Sequence, residues 1–310
     1  MPVGTGGLFL NSPEDDEVLQ FQGSRSIPGT SGKDPDEFVV DAAGNGDFLT
    51  IAEALTELGV SSGTIRVLAG TYTITTALTL AANQSIIGSG YGTNITTTSN
   101  ITCITSTANR VMVENCRIDG NNTGAAQNGI DFSGTECTIR NCWVTQMGGV
   151  GIIIGGARTM IIGCIVEDCT GDCLSIGGDN GSIVGCEIDN SGDTGIEMIS
   201  GDQWTIVGNR ITNHGLHGIR MTSCSFNQIT GNYIFSNGDT TVGDGINLSV
   251  SQENVIVGNH ISQNNDMGVR ITTTATSYRT LIVGNVVLNN NDGQISDGGS
   301  LSLVANNIVA

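Results

Sequence analysis

The amino-acid sequence predicts an all-β solenoid, in which the chain winds repeatedly around one axis and each coil contributes short parallel strands. Three observations support this prediction. A unit of twenty-odd residues recurs from residue 113 to the last residue, and no unit contains a helical apolar period of ten or more residues. Each unit instead holds strands of three to five residues rich in Ile, Val and Thr, separated by Gly, Asn, Asp and Ser.

The repeat is clearest between Ile206 and Met221. Its first half reads apolar-x-Gly/Asn-Asn/Cys-x-apolar, and its second half reads Gly-Ile-x-apolar. Alignment on the Asn/Cys position gives intervals of 26, 22, 22, 23, 23, 27, 26 and 21 residues. The predicted column consists of Cys116, Cys142, Cys164, Cys186, Asn209, Asn232, Asn259, Asn285 and Asn306. A buried Asn at this corner must bond the backbone of the next coil, and a free Cys fits there as a small hydrophobe.

The second half of the repeat predicts the direction of its side chains. In the strand after Gly195, Ile196 and Met198 are expected to face inward and Glu197 outward, because strand side chains alternate. The strands after Gly218 and Gly245 repeat this alternation. One period is therefore one coil of a parallel β-helix with stacked inward Ile side chains. A leucine-rich repeat is excluded because the sequence has no ladder of Leu.

These features resemble a known superfamily. The Asn column, the Gly-Ile-x-apolar strands and the period of about 22 residues are similar to the right-handed parallel β-helix, or pectate-lyase-like, superfamily, over roughly residues 38–310. That superfamily includes pectate-lyase-like enzymes, sugar hydrolases and epimerases, and phage tailspikes. The resemblance implies a single-stranded right-handed parallel β-helix, and it says little about function, because one fold supports many functions.

The N-terminal part of the chain differs in composition from the repeats. Residues 1–36 are predicted to form an extended arm, because they are rich in Gly and Ser and cannot bury a core. The arm is expected to contact another copy or a larger assembly, or to fold along its own β-helix. Residues 37–62 are predicted to cap the β-helix of residues 63–310. In this cap, Thr50 is the N-cap of a short helix that ends before Gly59, and its apolar face of Ile51, Ala54, Leu55 and Leu58 covers the first coil.

Composition excludes several classes of partner. The net charge is -19 with only 11 Lys and Arg residues, which argues against binding to nucleic acids or anionic membranes. No stretch approaches the length of a membrane span. The nine Cys are odd in number and lack zinc-site spacing, so the sequence predicts reduced thiols, no metal and no cofactor. The first ten residues lack the basic segment of a secretory signal, which predicts synthesis in the cytoplasm.

Two outward columns flank the Gly-Ile strands and hold the densest group of ionisable residues. Equivalent residues of neighbouring coils lie about 4.8 Å apart, so each column forms a continuous surface. The columns make His217 and Asp244 neighbours, with Arg220 close by and Glu197 one coil away. The candidate catalytic residues on this surface are Asp172, Glu197, His217, Arg220, Asp244 and Arg270. They predict either a saccharide site with carboxylates as general acid and base, or a solvated face on which Glu197 pairs with Arg220.

Short motifs in this region resemble those of polygalacturonases. Gly171-Asp172-Cys173 is similar to the family's Gly-Asp-Asp-Cys, His217-Gly218 to its Gly-His-Gly, and Arg220-Met221 to its Arg-Ile-Lys. The sequence departs from the pattern, since the Asp is single, Leu216 replaces a Gly and the Lys is missing. Asp172 and His217 also lie two coils apart, whereas the family places these groups on adjacent coils.

Three functions remain open on the sequence. The favoured hypothesis is a virion-type structural or receptor-binding protein, similar to a phage tailspike or capsid-decoration β-helix, that contacts host-surface glycans. The alternatives are a polysaccharide-active hydrolase, lyase or epimerase, and a non-catalytic carbohydrate-binding adhesin. A virion or extracellular location is expected after release from the cytoplasm. The coil at 303–310 has no capping segment, so a homotrimer and a larger particle contacted through the arm are the expected partners.

Overall fold

The computed structural model describes residues 37–121, 124, 127–239, 242–272 and 279–310, and they form a stack of parallel β coils. The all-β solenoid predicted from the repeat is confirmed. Each regular coil contributes one strand to each of three parallel sheets, which we call the first, second and third sheets in the order in which the chain enters them. The predicted arm, residues 1–36, lies outside the described residues.

The strands of the three sheets have these bounds within the described ranges. The first sheet contains Glu37–Val40, Gly63–Val67, Gln84–Gly88, Met112–Glu114, Thr138–Arg140, Met160–Ile162, Ser182–Val184, Thr205–Val207, Gln228–Thr230, Val255–Val257, Leu281–Val283 and Leu303–Ala305. The second sheet contains Gly70–Ile74, Thr93–Thr97, Arg117–Asp119, Trp143–Thr145, Ile165–Cys169, Glu187–Ser191, Arg210–Thr212, Tyr233–Phe235, His260–Ser262, Val286–Leu288 and Ile308–Val309. The third sheet contains Leu78–Thr79, Ile104–Ser106, Ile130–Phe132, Ile152–Ile154, Leu174–Ile176, Ile196–Ile199, Ile219–Thr222, Ile246–Ser249, Met267–Ile271 and Gly293–Asp297.

A single α-helix, Ile51–Leu58, occurs among the described residues and precedes the first complete coil. It begins after Thr50, whose hydroxyl accepts a hydrogen bond from the Glu53 N–H, while the Glu53 carboxylate accepts one from the Thr50 N–H. The predicted N-cap is confirmed, and the helix begins at Ile51, the first residue of the predicted apolar face. Its buried face belongs to the same apolar cluster as the coils. No described helix has the length and apolarity needed to cross a membrane.

The core is a narrow column of stacked aliphatic side chains. Ile196, Ile219 and Ile246 occupy equivalent positions on adjacent strands of the third sheet and are fully buried. Each buried Ile contributes about 1.5–3 kcal/mol of transfer free energy, and the period of the repeat keeps these side chains in register. The same register places the outward residues of successive coils beside one another.

A ladder of buried amides joins the coils at the corner between the first and second sheets. Oδ1 of Asn232 accepts hydrogen bonds from the backbone N–H and Nδ2 of Asn209, both at 2.9 Å, and Asn259 and Asn285 continue the pattern. The prediction that Asn306 ends this ladder is wrong by one residue. Asn307 bonds Asn285, because Ala305 pairs with Val283 and the register therefore places Asn306 opposite Gly284.

Thiols occupy the same corner in the earlier coils. The Cys142, Cys164 and Cys186 thiols contact backbone carbonyls of a neighbouring coil at 3.6–3.7 Å, the carbonyl position to which an Asn donates later in the stack. The two kinds of corner meet where the backbone N–H of Cys186 donates to Oδ1 of Asn209 at 2.8 Å. Hydrogen bonding to the stacked neighbour and burial raise the pKa of Cys142, so this thiol stays protonated.

A second polar ladder lies at the corner between the second and third sheets, and the sequence analysis missed it. Asn237 accepts from the backbone N–H of His214 and donates to Asn264, which in turn donates to Asn290. His214 joins this ladder as a neutral ring, because its Nδ1 lies 3.2 Å from the backbone N of Ser191, which can only donate. Burial lowers the pKa of His214 to about 4.

Candidate functional site

The candidate site is a strip of charged residues on the outward surface of the third sheet. Strand pairing places Glu197, Arg220, Asn247 and Arg270 side by side on four adjacent strands. Since neighbouring strands lie about 4.8 Å apart, this column alone extends about 14 Å along the stack. The turn that enters each of these strands supplies a second set of polar residues next to the column.

Asp244 is the centre of the C-terminal part of the strip. Its side chain is 1% exposed, and its carboxylate accepts hydrogen bonds from Nδ2 of Asn247 at 2.6 Å, from Nε of Arg270 at 3.0 Å and from the backbone N–H of Met267 at 3.0 Å. Arg270 also bonds Asp266. A buried carboxylate with this many donors is held rigidly, and it fixes the guanidinium of Arg270 in turn.

His217 lies against Asp244 and belongs to the preceding coil. The backbone N–H of Asp244 donates to Nδ1 of His217 at 3.1 Å, and Oδ2 of Asp244 lies 3.6 Å from the same nitrogen. Because an amide can only donate, Nδ1 is an acceptor and the proton of the neutral ring is on Nε2. Burial lowers the pKa of His217, although the charge of Asp244 opposes the shift. His217 is therefore neutral at neutral pH and offers one N–H.

Glu197 occupies the middle of the strip with one oxygen unsatisfied. Its side chain is 10% exposed, and Oε2 has no hydrogen-bond partner among the described residues. Nη1 of Arg220 lies 3.7 Å away, too far for a hydrogen bond. Burial raises the pKa of Glu197 to about 7; Arg220 opposes this shift, and the negative charges of Asp172 and Asp193 add to it. Near neutral pH, Glu197 is therefore able to give or take a proton.

Asp172 lies at the N-terminal end of the strip. Burial raises its pKa to about 6, while a hydrogen bond from the backbone N–H of Thr194, at 3.0 Å, and the charge of Arg220 act in the opposite direction. The charge of Asp193 adds to the rise. Asp172 and Glu197 thus form a pair of carboxyl groups on adjacent coils whose proton affinities are both shifted toward neutrality.

The structure brings the six predicted candidates together on one surface. His217 and Asp244 are neighbours, Glu197 and Arg220 occupy paired positions, and Arg270 bonds Asp244 directly. Sequence reasoning missed three contributors, which lie in the entering turns or in the outward column: Asp193, Asn247 and Asp266. Asn247 follows Gly245-Ile246 and therefore faces outward by the same strand alternation as Glu197, and this position close to Asp244 was the signal that could have identified it.

The strip has the groups needed for proton transfer and for hydrogen bonding to a hydroxyl-rich ligand. The carboxyls of Asp172 and Glu197 exchange protons near neutral pH, and Arg220 is a partly exposed cation beside them. No group of three or more His, Cys, Asp or Glu residues suited to a metal ion occurs in the part of the chain that the structure describes.

Comparison with known proteins supports the fold. The family described as "Right handed beta helix region" matches residues 128–292, slightly more than half of the chain. A search of curated proteins finds no match.

Several solved structures resemble the coils. The Dettilon tailspike protein (gp208) matches with a TM-score of 0.68 and 18% identity, over 77% of this chain and 51% of that one. Pectate lyase Pel9A matches with a TM-score of 0.59 and 15% identity, over 87% and 79% of the two chains. The A-module of the Azotobacter vinelandii mannuronan C-5 epimerase AlgE4 matches with a TM-score of 0.58 and 15% identity, over 84% and 93%.

These similarities, at identities below 20%, concern the fold alone, and the chain spans about half the length of the tailspike. The family match covers the coils that carry the charged strip. The stacked parallel strands, the amide ladder and the match over residues 128–292 agree. The chain belongs to the right-handed β-helix family.

Proposed function

We propose that this protein is a virion-type β-helix protein of the tailspike kind, which contacts a host-surface polysaccharide through the charged strip of the third sheet. The observation that carries the proposal is the continuity of the strip. From Asp172 to Arg270 it runs over five successive coils, or about 19 Å, which suits an extended chain better than a compact small molecule.

The chemistry of the strip also suits a sugar chain. Carboxylates, an amide and guanidinium groups alternate along it, and these groups donate to and accept from hydroxyls. The bonds among Asp244, Asn247 and Arg270 hold the polar groups in place before a ligand arrives, so that less side-chain entropy is lost on binding. The similarity to a tailspike supports the virion context, and the acidic chain argues against a nucleic-acid role.

The polysaccharide contact is tested with the Arg220→Ala variant on an array of bacterial surface glycans. We expect wild-type protein to bind at least one glycan and Arg220→Ala to bind it about tenfold more weakly, as for the loss of one charged hydrogen bond. The matched control is Arg158→Ala, since Arg158 is also an exposed cation but pairs with Glu136 outside the strip. Equal binding by both variants and the wild type contradicts the proposal.

The virion context is tested by immunogold electron microscopy of particles from the native source. Antibodies against the coils are expected to label particles at regular positions. Label that stays in the soluble fraction, with bare particles, contradicts this part of the proposal.

A polysaccharide-active enzyme is the second candidate, and the shifted carboxyls of Asp172 and Glu197 favour it. In this function the protonated Glu197 gives its proton to the glycosidic oxygen as that bond to the anomeric carbon breaks. The ionised Asp172 takes a proton from the water that attacks the same carbon. Wild-type protein then releases new reducing ends from a glycan, and Glu197→Gln abolishes the release. Glu187→Gln is the control, because Glu187 is exposed on the second sheet and pairs with Arg210. No product from any glycan excludes this candidate.

A further inference from the structure

A polar groove runs along the corner where the chain passes from the second sheet to the third. Its volume is about 540 Å³, which lies in the range of ligand sites in proteins. It extends over five successive coils, and its main polar residues are Gln146, Asp168, Thr170, Asn190, Asn213 and Asp239. None of the residues that line it belongs to the charged strip.

The lining of the groove selects one class of ligand. Among the described residues, no aliphatic side chain, no Phe, Tyr or Trp and no Lys or Arg lines it, and Asp168 and Asp239 give it a negative charge. An apolar ligand gains little from such a lining, and a polyanion is repelled by it. A metal ion lacks a suitable set of ligands, since the described residues contain no group of three or more His, Cys, Asp or Glu arranged for one.

The amides of the groove are positioned to bind hydroxyls. Nδ2 of Asn190 donates to Oδ1 of Asp168 at 2.6 Å, and Nδ2 of Asn213 donates to Oδ1 of Asp189 at 2.8 Å. Each bond uses one N–H of the amide, so the amide oxygen and the second N–H remain available to a ligand. Both Asn side chains are exposed and lie on adjacent coils, about 4.8 Å apart.

We propose that this groove is a second polysaccharide site, which binds a neutral, hydroxyl-rich chain lying along the solenoid axis. The coil spacing is comparable with the length of one sugar ring, so successive rings meet successive coils. The inference takes its ligand class from the proposed polysaccharide contact but places it on different residues. Binding here is independent of Glu197 and Arg220, and it is insensitive to salt because the ligand carries no charge.

The test is the double variant Asn190→Gly and Asn213→Gly. Both residues have positive φ angles, 52° and 61°, so glycine removes the amides without straining the backbone. Binding is measured by affinity electrophoresis in gels that contain mannan, dextran or galactan as neutral chains, and polygalacturonate as the anionic chain. We expect at least one neutral chain to retard the wild-type protein equally at low and high salt. The double variant is expected to bind that chain about tenfold more weakly or worse.

Two controls make the outcome specific. Asn289→Gly makes the same change at a φ of 54°, at the same corner but outside the groove, and it should bind like the wild type. Glu197→Gln alters the strip and leaves the groove intact, so it should also bind normally. The inference is overturned if no neutral chain retards the wild type, if polygalacturonate alone does so, or if the double variant matches Asn289→Gly. Loss in the double variant with full binding by Arg220→Ala supports the groove, whereas the strip stands or falls by the binding of Arg220→Ala to the bacterial surface glycans.

Discussion

Replacing Glu197 with Gln tests whether burial in the strip raises the pKa of this carboxyl group. Burial raises the pKa of Glu197 from 4.5 to about 7, so the folded state prefers the protonated carboxyl. The stability from this preference is fully present below pH 4.5 and is lost as the pH rises through 7. The shift corresponds to about 3 kcal/mol, which solvent screening on the outward surface reduces to about 1–2 kcal/mol. Gln is always neutral, so Glu197→Gln should be more stable than the wild type at pH 8 by about this amount.

The assay is urea unfolding followed by circular dichroism at pH 4.5 and pH 8. The difference in unfolding free energy between Glu197→Gln and the wild type should grow by about 1–2 kcal/mol from the lower pH to the higher. Glu187→Gln serves as the control, because Glu187 is exposed and pairs with Arg210, so its replacement should not stabilise the protein at pH 8. If Glu197→Gln follows the control, or is destabilised at pH 8, Glu197 is an ordinary solvated carboxylate and the reasoning fails.

Three further predictions concern the interior of the stack. Burial lowers the pKa of His214 from 6.5 to about 4, so the stability that the neutral ring provides above pH 6.5 is lost as the pH falls through 4. The unfolding free energy should therefore fall between pH 7 and pH 4 by about 3 kcal/mol less in His214→Asn than in the wild type. Asn232→Ala leaves the carbonyl of Ile206 and two donors of Asn209 without hydrogen-bond partners, so it should lower the unfolding free energy by about 2–4 kcal/mol. Equal stability of the variant and the wild type would contradict the ladder. All nine Cys are buried, so a thiol reagent should react with none quickly in the native protein and with nine after unfolding; a fast native reaction would contradict the thiol column.

Much of the strip follows from the repeat, because the coil spacing turns sequence columns into surfaces. His217 and Asp244 stand at equivalent positions of consecutive units, so their contact could be predicted before any coordinates. Asp193 and Asp266 were not placed in this way, because both lie two residues before the Gly, one position outside the two columns that flank each strand. Whether a turn residue at this position faces the strip depends on the path of the turn in three dimensions.

The ladders mark the limit of sequence reasoning more sharply. Asn306 and Asn307 are adjacent and chemically identical, so residue type alone cannot decide which of them continues the column; only the pairing of Ala305 with Val283 decides it. The second ladder was not predicted from the sequence because it contains His214 among its Asn residues. Polar residues at a corner are typical of exposed turns, and their burial depends on the three-dimensional path of the coil.

A crystal structure of the chain tests the central claim most directly, namely that each repeat winds once around the core and stacks its corner residue on the next. We expect electron density for Asn232 between Asn209 and Asn259, with amide-to-amide contacts near 2.9 and 3.0 Å. Side chains of these three residues pointing into solvent, with no contact between them, would contradict the coil register and the strip built on it.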